Sequence, residues 1–281
     1  MQQKPTPPAG SERSVGELLA VAVDAAADAA RVIQASFVHR DVLVWEEKGS
    51  ADFVTQVDRD AEAAITRLVT SRCPEASVVG EELSPDAGLA AGTSFVVDPL
   101  DGTTNFLHGY PEFAVSIGVT VGSRLVAGVV HNVTRNETFT ATRGGGAFVN
   151  GTAIAVSRES DPSRALIGTG FPFKRHDLLT EYATQFVEVS RQTAGIRRAG
   201  SAALDLANLA CGRFDGFWEL VLAPWDVAAG ILIVREAGGI VTDLAGETKE
   251  ISHGPVVAGN PDIHPWLLRI VGDAKAGKSA T

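Results

Sequence analysis

The first well-patterned segment of the chain, residues 14–33, carries apolar residues at intervals of three and four positions. Ser14 and Glu17 have the spacing of a capping box, in which each side chain binds the backbone N–H of the other residue at a helix start. This pattern predicts an amphipathic helix of several turns. Residues 60–71 repeat the pattern up to Pro74 and predict a second helix.

Short apolar runs separated by turn residues come next. Residues 95–97 are fully apolar and predict a buried strand. Short extended segments are expected at 41–46, 52–57 and 77–79. Three longer runs predict an antiparallel meander, and they cover residues 113–121, 125–133 and 138–142.

Beyond residue 158 short strands alternate with helices. Strands are predicted at 165–168, 214–219 and 240–242, and helices at 178–191, 200–210 and 225–237. A subdomain boundary is therefore expected near residue 155, and because no Pro-, Gly- or Ser-rich linker marks it, the halves should share a packed interface. The predicted units are a disordered tail (1–13), an N-terminal α+β subdomain (14–155), a C-terminal α/β subdomain (156–270) and a frayed tail (271–281).

Composition and charge narrow the possible functions. The 281 residues include 34 Asp and Glu against 24 Lys and Arg, a net charge of −10, which argues against nucleic acid or an anionic membrane as the main partner. No stretch approaches 18 consecutive apolar residues, and the N-terminus lacks the basic and apolar order of a signal peptide. Cys73 and Cys211 form no CxxC pair, so no disulfide framework is expected and a cytoplasmic location is predicted.

The most complete formal motif lies at the end of the sequence. Residues 272–279 match the P-loop pattern GxxxxGK[ST] after an apolar run at 267–271. A P-loop binds phosphate through the helix that follows it, and here only Ala280 and Thr281 follow. The match is therefore interpreted as a coincidence in a basic tail.

Two carboxylates follow the buried strand at 95–97. Asp98 is placed at the strand end, and Pro99 is expected to force a turn that brings Asp101 beside it. Two anionic side chains at one point favour a bridging divalent cation, and the N–H groups that follow Asp101, those of residues 102–104, would form a nest for phosphate. An ordinary turn that caps a helix at Thr103 or Thr104 remains the alternative on this local sequence.

Further acidic residues lie at the ends of other predicted elements: Asp58, Glu81, Glu82 and Asp226. Each has an ordinary interpretation, as a helix cap for Asp58, a solvated loop for the two glutamates, and a dipole-stabilising residue in the first turn of a helix for Asp226. Together with Asp98 and Asp101 they form an oxygen-only set, which suits Mg²⁺ or Mn²⁺ and disfavours zinc or copper.

The acidic residues fall within three motifs: GEE at 80–82, DPLDGTTNF at 98–106 and WDVAAG at 225–230. In order and spacing these motifs resemble the inositol monophosphatase family of Mg²⁺-dependent, lithium-sensitive phosphatases. Further segments with this resemblance are residues 52–58, 198–203 and 237–239. The resemblance spans about residues 15–262.

The resemblance implies a layered α/β/α/β/α sandwich, with an antiparallel sheet in the N-terminal α+β half, an α/β C-terminal half, and metal ions between the halves. The implied metal ligands, for two or three Mg²⁺ ions with Mn²⁺ as the alternative metal, are Glu81, Asp98, the Leu100 carbonyl, Asp101 and Asp226. Thr103 with Asp58 would position or deprotonate a metal-activated water, and the backbone of Gly102 and Thr103 would hold the phosphate. Gly200, Ser201, Ala202 and Glu219 would face the alcohol part of the substrate.

The substrate is left open among phosphate esters by the same resemblance. Inositol monophosphate is the leading expectation, and histidinol phosphate and fructose 1,6-bisphosphate are the alternatives. Residues 168–177 resemble the bacterial members, and Lys174 or Arg175 would suit a second phosphate unless they belong to an ordinary solvated loop. A homodimer is implied, and a non-catalytic regulatory protein with the same fold is the alternative from another class.

Overall fold

The computed structural model describes residues 13–40, 45–49, 52–89, 91–248 and 251–275. Within these residues the helices are α1 (Val15–Phe37), α2 (Gln56–Arg72), α3 (Thr103–His108), α4 (Leu179–Ser190), α5 (Ala202–Ala210), α6 (Pro224–Glu236) and α7 (Ile263–Lys275). The strands of the N-terminal half are β1 (Glu46–Gly49), β2 (Asp52–Val54), β3 (Ser77–Gly80), β4 (Thr93–Asp101), β5 (Ala114–Val121), β6 (Arg124–Asn132), β7 (Glu137–Thr142), β8 (Gly146–Val149) and β9 (Thr152–Ile154). Those of the C-terminal half are β10 (Leu166–Thr169), β11 (Gly195–Arg197), β12 (Gly216–Leu222), β13 (Ile240–Thr242) and β14 (Gly254–Gly259).

The larger sheet has seven strands in the order β3-β4-β5-β6-β7-β8-β9. Only β3 and β4 pair in parallel, and the remaining neighbours are antiparallel, as the predicted meander requires. The capping box predicted at the start of α1 is present, with Ser14 and Glu17 bonded reciprocally. Helices α1 and α2 pack against one face of this sheet.

Successive side chains of β4 point to opposite faces of the sheet and therefore belong to two different cores. Phe95 and Val97 pack with α1 and α2, whereas Val96 points into the core on the opposite face. All three side chains have no solvent exposure. A fully apolar run is therefore needed here, because both faces of the strand are covered.

Helix α6 lies unusually close to the second face of the large sheet. Gly118 on β5 and Gly128 on β6 are paired across the strands. A Cβ on Gly118 would lie 2.5 Å from the Cβ of Ala228, and one on Gly128 would lie 3.0 Å from the Ala229 carbonyl oxygen. The two glycines thus let α6 approach, and they place its N-terminal turn beside the end of β4.

The smaller sheet has the order β11-β10-β12-β14-β13. Helices α5 and α6 lie between the two sheets in a shared core, and α4 and α7 cover the outer face of the smaller sheet. Five layers result, so the predicted α/β/α/β/α sandwich is confirmed. The change of sheet falls between residues 154 and 166, next to the boundary predicted near residue 155.

The tail predicted at 271–281 is corrected in part. Helix α7 continues to Lys275, and Val271 is buried in the outer core, because its apolar side packs on the smaller sheet. The run before the P-loop match is therefore helical, whereas a P-loop follows a strand. Residues 276–281, like residues 1–12 of the predicted N-terminal tail, lie outside the described part of the chain.

Among the described helices, none combines the length and the apolar character that a bilayer crossing requires.

Candidate active site

A cavity of about 520 Å³ opens between the two sheets. Its walls come from the ends of β3, β4 and β10, from the starts of α3, α5 and α6, and from the middle of β12. Of the residues predicted to form the site, the lining includes Glu81, Asp98, Leu100, Asp101, Gly102, Thr103, Gly200, Ser201, Ala202, Glu219 and Asp226. Asp58 is the one predicted residue that does not line it.

Three carboxylates converge at one side of this cavity. Glu81, Asp98 and Asp226 each offer an oxygen, and these oxygens all lie within 4.8 Å of one another. Glu81 directly follows β3, Asp98 lies in β4, and Asp226 lies in the first turn of α6. Of the adjacent glutamates left undecided by the sequence, Glu81 is the one that joins this group, which we call the acidic cluster.

The turn predicted at Pro99 is wrong. Strand β4 continues through Asp101, and its pairing with β5 shifts register between Asp98 and Asp101. Pro99 lacks the N–H that the ladder needs, so the strand forms an irregularity there and then resumes pairing. The Leu100 N–H donates to Asp98 Oδ1 at 3.0 Å, which fixes the carboxylate of Asp98 toward the cavity edge of the sheet.

Asp226 is held by the helix that it begins. It is the third residue of α6, and its Oδ2 accepts a hydrogen bond of 2.7 Å from the N–H of Ala223, the residue before the helix. Pro224 occupies the first helical position, where the missing N–H costs nothing. The ordinary interpretation of Asp226 as a helix-start residue is therefore correct as well, and it explains how the side chain is oriented.

Asp101 joins the two halves of the chain. Its Oδ2 accepts hydrogen bonds of 2.7 Å from Ser201 Oγ and 2.7 Å from the Ala203 N–H, both at the start of α5. The turn alternative is therefore wrong in its detail, since the Asp101 carboxylate bonds to the start of α5, and the N-cap of α3 is Gly102, without a side-chain cap. Asp101 lines the cavity beside the acidic cluster but is not one of its three members.

Asp58 was expected at the end of a strand, and this is wrong. It is the third residue of α2, where Thr55 and Asp58 form a capping box. Asp58 is 1% exposed, and its Oδ1 lies 2.9 Å from the hydroxyl of Thr103. The same hydroxyl lies 3.1 Å from the carbonyl oxygen of Leu100. Asp58 therefore reaches the cavity only through Thr103, and the capping geometry explains why two buried carboxylate oxygens are tolerated there.

All the predicted substrate residues line the cavity, and the segment at 200–202 lies against the end of β4. Gly200 and Gly102 have φ angles of +95° and +99°, which favour glycine. The Ser201 hydroxyl is turned away to Asp101 and to the Leu204 N–H, so only its backbone can face a ligand. The carboxylate of Glu219 lies against Gly170, where a Cβ would be 2.1 Å from Glu219 Oε2.

The carboxyl groups of the cavity are electrostatically unfavourable without a cation. Burial raises the pKa of Asp98 well above its usual range, and the charges of Glu81, Asp101 and Asp226 raise it further. Burial also raises the pKa of Asp101 and, together with Asp226, that of Glu219. Oxygen ligands with no His or Cys among the three cluster members fit Mg²⁺, which would relieve this repulsion.

The sequence profile of the inositol monophosphatase family matches residues 14–276, nearly the whole chain. The chain belongs to the inositol monophosphatase family. This confirms the predicted resemblance. The family is Mg²⁺-dependent, and the acidic cluster is a group of carboxylates that could bind a metal ion.

Individual relatives agree on the fold. Nus factor SuhB of Pseudomonas aeruginosa is 45% identical over 258 residues, which cover 90% of this chain and 95% of that protein. The extragenic suppressor protein suhB from Bartonella henselae matches with a TM-score of 0.85 and 42% identity, over 91% of this chain and 98% of its own. Inositol monophosphatase from Anabaena matches with a TM-score of 0.81 and 35% identity, over 92% and 96% of the two chains.

The sequence interpretation named residues 168–177 and 198–203 but gave no role to Arg198, Phe171 or Phe173, which together line one wall of the cavity. The guanidinium of Arg198 stacks over Phe171 and Phe173, at 5.4 and 5.1 Å from the ring centroids. Lys174 also lines the cavity, whereas Arg175 pairs with Asp177 outside it. Of the two cations considered for a second phosphate, only Lys174 is in position to meet a ligand.

Asp205 was also missed. It lies in the first turn of α5, four residues after Ser201, and it lines the cavity although it is only 1% exposed. Its Oδ1 is buried without a hydrogen-bond partner. Burial, and next the charge of Glu219, raises the pKa of Asp205 well above its usual range. The i, i+4 spacing to Ser201 is the sequence signal that could have placed it on this helix face.

We expect Asp205→Asn to stabilise the fold at neutral and alkaline pH. Because the folded state raises the pKa of Asp205, the folded protein binds this proton more tightly than the unfolded chain, and stability is lost as pH rises through the folded pKa. Asn cannot ionise and so avoids that loss, which amounts to about 1.4 kcal/mol for each pH unit by which the folded pKa exceeds the unfolded one. Urea unfolding at pH 5 and pH 8 measures the difference, and a variant less stable than wild type at pH 8 would contradict it.

Proposed function

We propose that this chain is a Mg²⁺-dependent phosphomonoesterase that hydrolyses a small phosphate ester, with inositol monophosphate as its leading substrate. The observation that carries the proposal is the convergence of the Glu81, Asp98 and Asp226 carboxylates in a cavity that also presents the Thr103 hydroxyl. Membership of a phosphatase family supports the reaction class.

The acidic cluster would hold Mg²⁺, with the Leu100 carbonyl and Asp101 as further ligands to two or three ions. The buried, mutually repelling carboxylates fit a hard divalent cation, and Mn²⁺ would bind the same oxygen set. When bound, Mg²⁺ supplies the positive charge that admits an anionic ester to an acidic cavity and polarises its P–O bonds.

Thr103 and Asp58 would orient the attacking water. The Thr103 hydroxyl lies 2.9 Å from Asp58 Oδ1, so its proton can point to that carboxylate. The hydroxyl oxygen is then free to accept a hydrogen bond from the water, which directs a water lone pair to phosphorus. The backbone N–H groups of Gly102 and Thr103, at the uncapped start of α3, would hold the phosphate oxygens.

The alcohol part of the ester would lie toward β12. Glu219 would accept hydrogen bonds from hydroxyl groups there, and the backbone at Gly200, Ser201 and Ala202 would complete that wall. Hydroxyl-rich alcohols such as inositol fit an acceptor carboxylate better than apolar ones do.

The decisive experiment measures phosphate release by the purified protein with and without Mg²⁺. We expect turnover of inositol 1-phosphate that a chelator abolishes and added Mg²⁺ restores. A parallel kcat/KM comparison with histidinol phosphate and fructose 1,6-bisphosphate ranks the substrates within the family. Absence of metal-dependent phosphate release from all three esters would contradict the proposal.

A second role rests on the names of the relatives. Nus factor SuhB of Pseudomonas aeruginosa is 45% identical to this chain over 258 residues, and its name points to transcription. We propose that this chain also binds a transcription complex. Capture of transcription proteins by wild type and equally by Asp226→Asn would support two separate roles, and capture by neither would remove this one.

A further inference from the structure

Glu62 is the most completely buried acidic residue near the cavity that the proposed function does not use. It lies in α2 with no solvent exposure. Its Oε2 accepts a hydrogen bond of 2.7 Å from the N–H of Glu82, and its Oε1 accepts one of 3.0 Å from the N–H of Leu83. A buried carboxylate is costly unless it is bonded in this way, so the two N–H groups stabilise Glu62 and are held by it.

The carboxylate of Glu62 also presses against the residue before Glu81. A Cβ on Gly80 would lie 2.0 Å from Glu62 Oε1, so only glycine leaves room for the carboxylate. Glu62 therefore contacts the chain on both sides of Glu81. The Glu81 N–H itself donates to the Val97 carbonyl of β4 at 3.2 Å, which ties this residue to the strand that carries Asp98.

One face of α2 thus contacts two parts of the cavity wall, the Thr103 hydroxyl and the segment that carries Glu81. Glu62 follows Asp58 by four residues, and residues at this spacing share a helix face. Asp58 holds the Thr103 hydroxyl, and Glu62 holds the segment that presents Glu81. The helix fixes the distance between the two because it is a rigid element packed in the core.

We propose that Glu62 is a positioning residue for metal binding, which holds the loop after β3 so that the carboxylate of Glu81 meets those of Asp98 and Asp226. The proposal rests on the metal site of the proposed function. A carboxylate on a loop can bind a metal ion tightly only if the loop backbone holds it in the right position. Groups that orient metal ligands in this way typically contribute about 10–100-fold to metal affinity.

Glu62→Gln tests this with almost no change of volume. The amide has a single oxygen, so its NH₂ group would face one of the two backbone N–H donors and that bond would be lost. Gly80→Ala disturbs the same contact from the loop, because the added methyl group would displace the Glu62 carboxylate. Asp60→Asn is the matched control, since it removes one negative charge from an exposed position of the same helix.

The measurement is Mn²⁺ binding followed by electron paramagnetic resonance, with Mg²⁺ titration calorimetry alongside. We expect Glu62→Gln and Gly80→Ala to bind Mn²⁺ about 10-fold or more weakly, with Asp60→Asn like wild type. In hydrolysis, raised Mg²⁺ should restore kcat while the KM for the ester stays constant, which a general loss of structure would not produce.

The outcomes separate the two proposals. Wild-type Mn²⁺ affinity in both variants would overturn the role of Glu62 while leaving the metal site intact. Absence of Mn²⁺ and Mg²⁺ binding by wild type would overturn the metal site and this inference together. If Glu62→Gln does not fold, Gly80→Ala decides the question, because it leaves Glu62 itself unchanged.

Discussion

Asp226→Asn should lower kcat about 1000-fold or more while the fold stays nearly as stable as wild type. The substitution removes one of the three negative charges that converge in the acidic cluster. A cation that stabilises charge in the transition state contributes several kcal/mol, and about 4 kcal/mol corresponds to a factor of 1000 in rate. Steady-state phosphate release at saturating Mg²⁺ measures kcat, and urea unfolding measures stability.

The small stability effect follows from the helix cap. Asp226 Oδ2 accepts the Ala223 N–H, and the amide oxygen of Asn can accept the same bond. Asp226→Ala loses both functions, so it should also destabilise the protein by about 1 kcal/mol. Glu17→Gln is the matched control, because it makes the same acid-to-amide change in the capping box of α1, remote from the cavity. A kcat of Asp226→Asn within a few fold of wild type would remove Asp226 from the site.

The acidic cluster was predictable because its members carry local signals. Asp98 follows a fully apolar run, Glu81 follows a shorter one, and Asp226 follows a proline that starts a helix. Each of these sequence features marks the end of a strand or the start of a helix. In a layered fold such ends lie close together at one edge of the sheet. The layers themselves were taken from the family resemblance, since periodicity gives elements but does not say which faces pack together.

The two errors have different causes, pairing with a distant strand in one case and a local helix start in the other. The turn expected at Pro99 fails because β4 continues to pair with β5 beyond the irregularity. Asp58 appeared as a strand end because Gln56 and Val57 read as extended residues, whereas Thr55 caps a helix that begins at once.

Glu62 and Asp205 show a different limit of the sequence. Both were inside predicted helices, but a helix pattern does not reveal which loop or cavity a buried acid faces. Glu62 meets residues 82 and 83, twenty and twenty-one positions away, and no local spacing encodes that contact.

Thr103→Val should lower kcat about 100-fold or more, because it replaces the hydroxyl that faces the cavity with a methyl group of the same shape. General acid–base groups contribute about 10²–10⁴-fold, and this hydroxyl is the only path by which Asp58 reaches the ester in the described structure. The loss of one donor to the buried Asp58 carboxylate should also cost about 1–3 kcal/mol of stability. The KM for the ester should change much less than kcat, since the backbone N–H of residue 103 is retained.

Two further variants separate the role of this hydroxyl from a packing defect. Thr103→Ser keeps the hydroxyl and should recover most of kcat, although it loses the methyl group. Thr184→Val makes the same hydroxyl-to-methyl change at an exposed position of α4 that does not line the cavity, and it should leave kcat within a few fold of wild type. If the valine variants at 103 and 184 lose activity equally, the attacking water is not oriented by the Thr103 hydroxyl, and the pairing with Asp58 serves only to anchor α3 on α2.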